Sequence, residues 1–414
     1  MAHPFLESRD FRSLFLADIV VTVAERYFVL TFSWWLLSGP EASGWKLTVL
    51  LALESVPMLA VGILGGPIVD RCNKKWAMLG SVLVQAVVTL AVALLMAADQ
   101  LTFPLLCAAG VVLGCSIPVF ENAANAALPR TVTNHRLAAA AAMQSSTLEY
   151  SNIIAASLSA ALLASAGVTA AVAVNAVLYV TGAVMLLRLR SGQYVGSPTG
   201  GAYADDLKAG LAFLARRPAL ASFVAVYIVK LAIFVSLLVI IPMMVQSTLG
   251  GAVRWVAILE ALFSIGAIVS ALVASVRIDG GRLYGTYAAA LALLGGLMVI
   301  LAGISTPIYA ASVVTAMGAC TAWLLASSNI LFHRAVPDDM KGRFFGILDT
   351  LAAAVTPIGY GVVGVVSGLA RVPGVLVANG IALVGLAAVV LLMPRVPIRG
   401  ALGASVVVLP EGAA

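Results

Sequence analysis

Long apolar runs alternate along this chain with short polar breaks. A helix needs about 20 mainly apolar residues to cross a bilayer. Twelve runs of that kind follow one another, at roughly 11–38, 45–69, 76–98, 101–126, 137–164, 168–189, 219–247, 252–276, 283–304, 306–331, 342–369 and 372–394. One break is long. From Arg190 to Arg217 the chain carries Ser-Gly, Ser-Pro-Thr-Gly-Gly and the pair Asp205-Asp206. Its start reads as a flexible linker, and the stretch from Tyr203 to Arg216 as an amphipathic helix on a membrane face. The pattern predicts an all-α integral membrane protein with 12 transmembrane helices. An N-terminal six-helix bundle (1–189) would be joined by a cytoplasmic linker (190–217) to a C-terminal six-helix bundle (218–396) and a cytoplasmic tail (397–414).

Composition agrees with the pattern. The chain has 414 residues, 62% of them hydrophobic and 10% charged, with a mean hydropathy of +1.07. A soluble fold of this size could not hide so much apolar surface. The formal charge of +6 is therefore a topology signal, and nucleic-acid binding is a poor reading of it. Of the 24 Lys and Arg, only Lys46, Arg254 and Arg371 fall on one side of the alternation, and Arg26 and Lys230 lie inside runs. All the others share the opposite side, which predicts that both termini and the linker are cytoplasmic. The opening MAHPFLESRDFR is expected to be a cytosolic lead-in with no removable signal. The spacing of Cys72, Cys107, Cys115 and Cys320 fits neither a disulfide framework nor a metal site. With only His3, His135 and His333, a multi-His metal centre is not expected either. No HExxH or GxSxG is present, so the chain is expected not to be an enzyme and to carry no cofactor.

The two sets of six runs echo each other at an offset of about 208, as parallel repeats about an axis along the membrane normal would. Ala127-Leu128-Pro129-Arg130 after the fourth run corresponds to Ala335-Val336-Pro337-Asp338 after the tenth. Asp70 after the second has a rough counterpart in Asp279 after the eighth.

Eight ionisable residues interrupt the runs: Asp18, Glu25, Arg26, Glu54, Glu149, Lys230, Glu260 and Asp349. Charge at membrane depth is costly, so such residues face a cavity and mark an ion or substrate path, or tie helices together as ion pairs. They fall in the first, second, fifth, seventh, eighth and eleventh runs. The third, sixth, ninth and twelfth are thus the expected lipid-facing helices. Counting from the run ends puts Glu25, Glu54, Glu149 and Lys230 near the midplane, Asp18 and Asp349 toward the cytoplasm and Glu260 toward the outside. Burial disfavours the charged form of a carboxyl group, which lets it take a proton from one side and release it to the other. Glu25 and Arg26 point about 100° apart on a helix, so Arg26 is expected to reach Glu54 or Glu149. Asn122 and Asn125, with Glu121, are expected near the cytoplasmic end of the fourth run, and Gln144, Tyr150 and Asn152 near Glu149. Trp323 and Asn329 on the tenth run add the aromatic and polar surface that suits an amphipathic organic molecule. Trp34, Trp35 and Trp45 are expected in the interfacial belt.

One polar break carries a motif. Gly66-x3-Asp70-Arg71-x2-Lys74-Lys75 lies between the second and third runs. At every defining position it is similar to the loop between the second and third helices of the major facilitator superfamily, and the resemblance covers essentially the whole chain. The narrower resemblance is to the enterobactin-exporter-like and macrolide-efflux-like bacterial permeases. It rests on Asp10-Phe-Arg-Ser-Leu-Phe-Leu-Ala, Leu128-Pro129 and the stretch from Val336-Pro337 to Gly342-Arg343. The resemblance implies a proton-coupling role for Glu25, which follows Ala24 midway along the first helix. It also implies that Asp70 engages the neighbouring bundle, with Gly342 and Arg343 as the expected partner region, while Arg71, Lys74 and Lys75 face anionic headgroups. The Gly-Pro pair that antiporters of the superfamily often carry in the fifth helix is absent; only Gly167 stands between Ser157 and Gly167.

The expected function is a proton-coupled exporter of a small amphipathic or polar organic molecule such as a drug, siderophore or secondary metabolite, working by alternating access. The alternative is an uptake symporter for a small metabolite or a metal–chelate carrier. Glu25, Glu149 and Asp18 are the expected proton-coupling residues. Arg26, Glu54, Lys230, Glu260, Asp349, Tyr150, Trp323 and Asn329 are the expected substrate-binding ones. The expected gate is Gly66, Asp70, Arg71, Lys74, Lys75, Gly342 and Arg343, in a monomeric protein of the bacterial inner membrane.

Overall fold

In an apolar medium a chain rich in Ala, Leu and Val satisfies its backbone N–H and C=O groups most simply within helices. Every regular element among the described residues is helical. The computed structural model describes residues 5, 8–38, 43–133, 136–145, 147–190, 203–249, 252–277, 283–369 and 372–395. The helices of the first half are α1 (Arg9–Ser38), α2 (Gly44–Arg71), α3 (Lys74–Ala97), α4 (Phe103–Ala127), α5 (Leu137–Ser145), α6 (Thr147–Ser165) and α7 (Gly167–Leu187). Then follow α8 (Tyr203–Ala215), α9 (Pro218–Val235), α10 (Leu237–Ser247), α11 (Val253–Arg277), α12 (Leu283–Ala302), α13 (Pro307–Ala335), α14 (Asp338–Leu369) and α15 (Val372–Leu392).

Local signals set the boundaries. The Ser8 hydroxyl accepts from the Phe11 N–H at 3.1 Å and caps α1, and the Asn73 side chain accepts from the Lys75 N–H at 3.0 Å and caps α3. Pro in the first turn opens α4, α9 and α13, where a missing N–H costs nothing. The reversal from α6 to α7 uses Gly167 at φ +78°, a left-handed conformation that favours glycine. Gly167 therefore serves the turn.

Ten described stretches are long and apolar enough to cross a membrane: one each on α2, α3, α4, α7, α11, α12, α13, α14 and α15, and one over α9 and α10 together. Two of the twelve expected runs are not among them. The first, α1, carries Asp18, Glu25 and Arg26; the fifth includes residue 146, which lies outside the described residues, and yields Tyr150–Ser165 as a shorter apolar helix. The seventh run also differs from expectation. It breaks at Ser236, whose hydroxyl donates to the Ile233 carbonyl and accepts from the Asn379 amide at 2.7 Å.

Packing repeats between the halves. In the first, α2 lies along α4 and α3 along α7; in the second, α11 lies along α13 and α12 along α15. Glycines allow the closest crossings. A Cβ on Gly114 of α4 would run into the Glu54 carbonyl of α2. Likewise, a Cβ on Gly318 of α13 would meet the Phe263 carbonyl of α11, and one on Gly266 the Thr315 carbonyl. The helices α3, α7, α12 and α15 pack mainly within their own half and expose large apolar side chains such as Val87, Leu94, Val177, Leu293 and Leu391.

The halves join through α2 against α14 and α6 against α11. Named contacts lie at the far end, where α1 stops and α2 starts. A Cβ on Gly364 would lie 3.1 Å from the Cβ of Thr48. Leu30, Trp34, Ala156, Ser159, Val256 and Ala257 enclose a narrow gap between α1, α6 and α11. Buried apolar residues of both halves form one cluster there, among them Leu36, Leu47, Leu50, Val239, Met244 and Val363. At the opposite, linker end, Glu121, Asn125, Asn329 and Asp349 are exposed. The interior is closed at the far end and reached by solvent from the linker end. There, α8 lies on α14, with Phe213 edge-on to Phe344 at 6.5 Å and Gly210 against the Arg343 carbonyl.

Candidate functional site

The site begins on α1. Asp18 and Glu25 are seven residues apart, about two turns, so they share a face; Arg26 points to the side. Arg26 lies within electrostatic range of Glu25, of Glu54 on α2, of Glu121 on α4 and of Glu260 on α11. Its charge also reaches Tyr360 on α14. Four carboxyl groups from four helices of both halves thus share the field of one guanidinium. Tyr179 of α7 stands beside Glu25 and Glu54. Asp18, toward the linker end, neighbours Glu121 and the Thr147 hydroxyl. Among the described residues, two atoms at the centre, Glu25 Oε1 and Arg26 Nε, are buried without a hydrogen-bond partner. Leaving such an atom unmatched costs about 1–3 kcal/mol, a cost that functional sites tolerate and plain cores avoid.

The eight intramembrane charges do not form one column. Lys230 is 4% exposed, and its Nζ sits 4.6 Å from the ring centroid of Tyr227, a cation–π contact. Tyr227 in turn feels Asp349 and packs edge-on to Phe332 at 5.6 Å. Lys230, Tyr227 and Asp349 make a second polar group on α9 and α14. Trp323 is half-buried against the main core, while Tyr150 and Asn329 are exposed. The side chain of Glu149 lies outside the described residues, although its backbone belongs to α6.

Sequence reasoning missed Glu121, Tyr179 and Tyr360. Glu121 had been expected near the helix end with Asn122 and Asn125. It does lie at that end, exposed like Asn125, and its charge also reaches Glu25 and Asp18; the Gln144 amide, 3.3 Å from the Asn125 carbonyl oxygen, ties that face of α4 to α5. Its spacing of four from Asn125 was the available signal. Many Ser and Thr are silent because their hydroxyls donate to carbonyls one turn back, as at Thr181, Thr315, Ser328 and Thr350.

At the expected gate, Gly66, Asp70 and Arg71 lie in the last turns of α2, and their side chains fall outside the described residues. Lys74 and Lys75 correct the expectation of headgroup contact: both are buried. Lys75 Nζ donates to the carbonyls of Leu187 at 2.9 Å and Leu189 at 2.6 Å, closing the end of α7 as a C-terminal cation does. Gly342 is exposed with open space around it, and the Arg343 guanidinium rests on Met340 Sδ at 3.9 Å. The second-half copy of the loop, with Asp279 and Arg282, lies outside the described residues.

A twinned set of bundles with buried charges at their meeting point is the architecture of a membrane transporter. The family model described as "Transmembrane secretion effector", of the major facilitator class, matches residues 2–406. The chain therefore belongs to the transmembrane secretion effector family of the major facilitator superfamily, as an integral membrane protein of transmembrane transport. Its fold is similar to that of the nucleoside transporter NupG, with a TM-score of 0.73 at 11% identity over 92% of this chain and 98% of that one. It is also similar to a POT family transporter crystallised with a thioalcohol-conjugated peptide, at 0.73 and 10% identity over 92% and 95%. No curated protein matches.

Proposed function

We propose that this protein is a proton-coupled exporter of a small amphipathic or polar organic molecule, working by alternating access between two six-helix bundles, 1–189 and 218–396, with twelve spans and both termini cytoplasmic. The observation that supports it is the grouping of Glu25, Glu54, Glu121 and Glu260 around Arg26, with Glu260 from the opposite half. Four carboxylates against one guanidinium leave an excess of negative charge when all are ionised, and Glu25, Glu54 and Glu260, which are partly buried, bear it where unbalanced charge is costly. Protons or a cationic group of the cargo can neutralise it. Because the groups come from both halves, a change in that balance also changes how strongly the halves attract across Arg26 and Glu260.

In this reading Glu25 and Glu149 carry the coupled protons and Asp18 is the relay toward the linker end. Arg26, Glu54 and Glu260 read the polar part of the cargo; Lys230, Asp349, Tyr150, Trp323 and Asn329 take its remainder. Gly66, Asp70, Arg71, Gly342 and Arg343 form the cytoplasmic gate, in a monomer of a bacterial inner membrane. An uptake symporter for a small metabolite or metal chelate is the second reading. The fifth helix favours it, since the Gly-Pro pair often carried by antiporters is missing there.

A growth-inhibition panel on a deletion strain, across drug and siderophore stresses, supplies the cargo, and transport into oriented proteoliposomes then tests the mechanism. Glu25→Gln should abolish flux driven by a pH gradient while leaving the folded protein and cargo exchange at equal pH in place. Full gradient-driven flux in that variant would remove Glu25 from the mechanism, and the direction of flux in wild type decides between export and uptake.

A further inference from the structure

At the linker end of the first half, α1 and α7 part to leave a cleft of about 330 Å³ lined by Arg9, Arg12, Ser13, Leu16, Met185 and Arg188. The transport reading uses none of these residues. Arg9 and Arg12 are three apart on α1 and share a face; Arg188 follows the last residue of α7. All three arginines are exposed, while Ser13 beneath them is 9% exposed. Among the described residues no carboxylate pairs with any of the three guanidinium groups, and the Ser13 hydroxyl has no hydrogen-bond partner.

Electrostatics gives the cleft a sign. In the first turn of α1 the buried Asp10 already complements the positive end of the helix dipole. Arg9 and Arg12 add exposed positive charge to that turn, and with Arg188 they give the cleft a sign that an anion matches. The C-terminal end of α7, which would repel an anion, is already covered: Lys75 Nζ holds the Leu187 and Leu189 carbonyls. Leu16 and Met185 give the cleft an apolar wall beside its charged rim, suited to a group that carries both phosphate and hydrocarbon.

We propose that this cleft is a saturable site for a phosphate ester, in which Arg9, Arg12 and Arg188 take the phosphoryl oxygens and Ser13 donates the inner hydrogen bond. Arginine forks match phosphate in pairs. The phosphate can come from the headgroup of an acidic phospholipid or from a water-soluble ester, and the two sources are separable. A basic membrane face attracts acidic lipid loosely whatever its arrangement; a built cleft differs in depending on particular residues.

The test uses the purified full chain in zwitterionic nanodiscs. Thermal stability is followed against increasing phosphatidylglycerol in the disc, and separately against soluble glycerol phosphate. Wild type should show a saturable rise with at least one of the two, and a rise with phosphatidylglycerol alone assigns the site to lipid. Arg12→Gln and Arg188→Gln should each weaken the half-saturating level about fivefold, while Arg216→Gln, an exposed arginine on the same end outside the cleft, should leave it unchanged. Ser13→Ala, which removes no charge, should also weaken it. Equal loss in Arg216→Gln, or no loss in the cleft variants, would reduce the cleft to part of a generally basic face. No rise with either compound would overturn the proposal outright.

Discussion

Gly114 is the residue whose replacement has the plainest cost. Its Cα faces the Glu54 carbonyl so closely that any Cβ collides with backbone, which cannot swing aside. Gly114→Ala should destabilise the protein by about 1–3 kcal/mol, read as a lower unfolding midpoint in detergent. Gly80→Ala, where a Cβ meets nothing within 4 Å, should be neutral; equal effects at the two sites would contradict this crossing of α2 and α4. The same residue positions Glu54, because the close approach sets the depth and direction of α2 beside Arg26. From the sequence, Gly114 is one of 37 glycines. Nothing in its neighbours distinguishes it from Gly80, since the constraint lies on another helix. Glu25 and Arg26 were legible because charge in an apolar run is conspicuous in any register. Glu121 was not, since its importance depends on which way α4 is turned.

Between elements, the informative contact is α2 against α14. Thr48 and Gly364 bring the far ends of these helices together, with 3.1 Å between the Thr48 Cβ and a Cβ built on Gly364. This is slightly closer than the roughly 3.5–4.5 Å of a disulfide, within a small helix adjustment. In a variant lacking Cys72, Cys107, Cys115 and Cys320, the pair Thr48→Cys and Gly364→Cys should cross-link on mild oxidation. Transport should stop and should return on reduction. Failure to cross-link, or transport that continues through the link, would contradict a far-end closure that has to open in each cycle. Helix existence at this scale was legible from run length alone, and the helices that pack within their own half from the absence of charge. The break at Ser236 was not: Pro242 lies in the same run, but beyond the break, inside the second helix. The Ser236 turn is fixed by the hydroxyl's bonds to Ile233 and to Asn379 on a helix far along the chain. Lys75 was misread for a similar reason. A lysine beside a membrane looks like a headgroup contact until the end of α7 is seen to need a cap.

At the scale of the whole molecule, two halves meet through an apolar far end and a charged centre, while the linker end admits solvent to Glu121, Asn125, Asn329 and Asp349. The membership of the family was written in the loop from Gly66 to Lys75 and in the succession of long apolar runs. The partition of the buried charges was not, for it follows from helix rotations that only packing fixes. The central claim is that the protonation of the Arg26-centred group biases the arrangement of the halves. It can be tested without knowing the cargo. Spin labels at Asn125→Cys and Asn329→Cys, one on each half at the linker end, report the separation of the halves by pulsed dipolar spectroscopy. The wild-type distance distribution should change between about pH 5.5 and about pH 8.5, as protons load and leave the group. Glu25→Gln should hold the low-pH distribution at both values. A pH response in Glu25→Gln equal to that of wild type would contradict the claim.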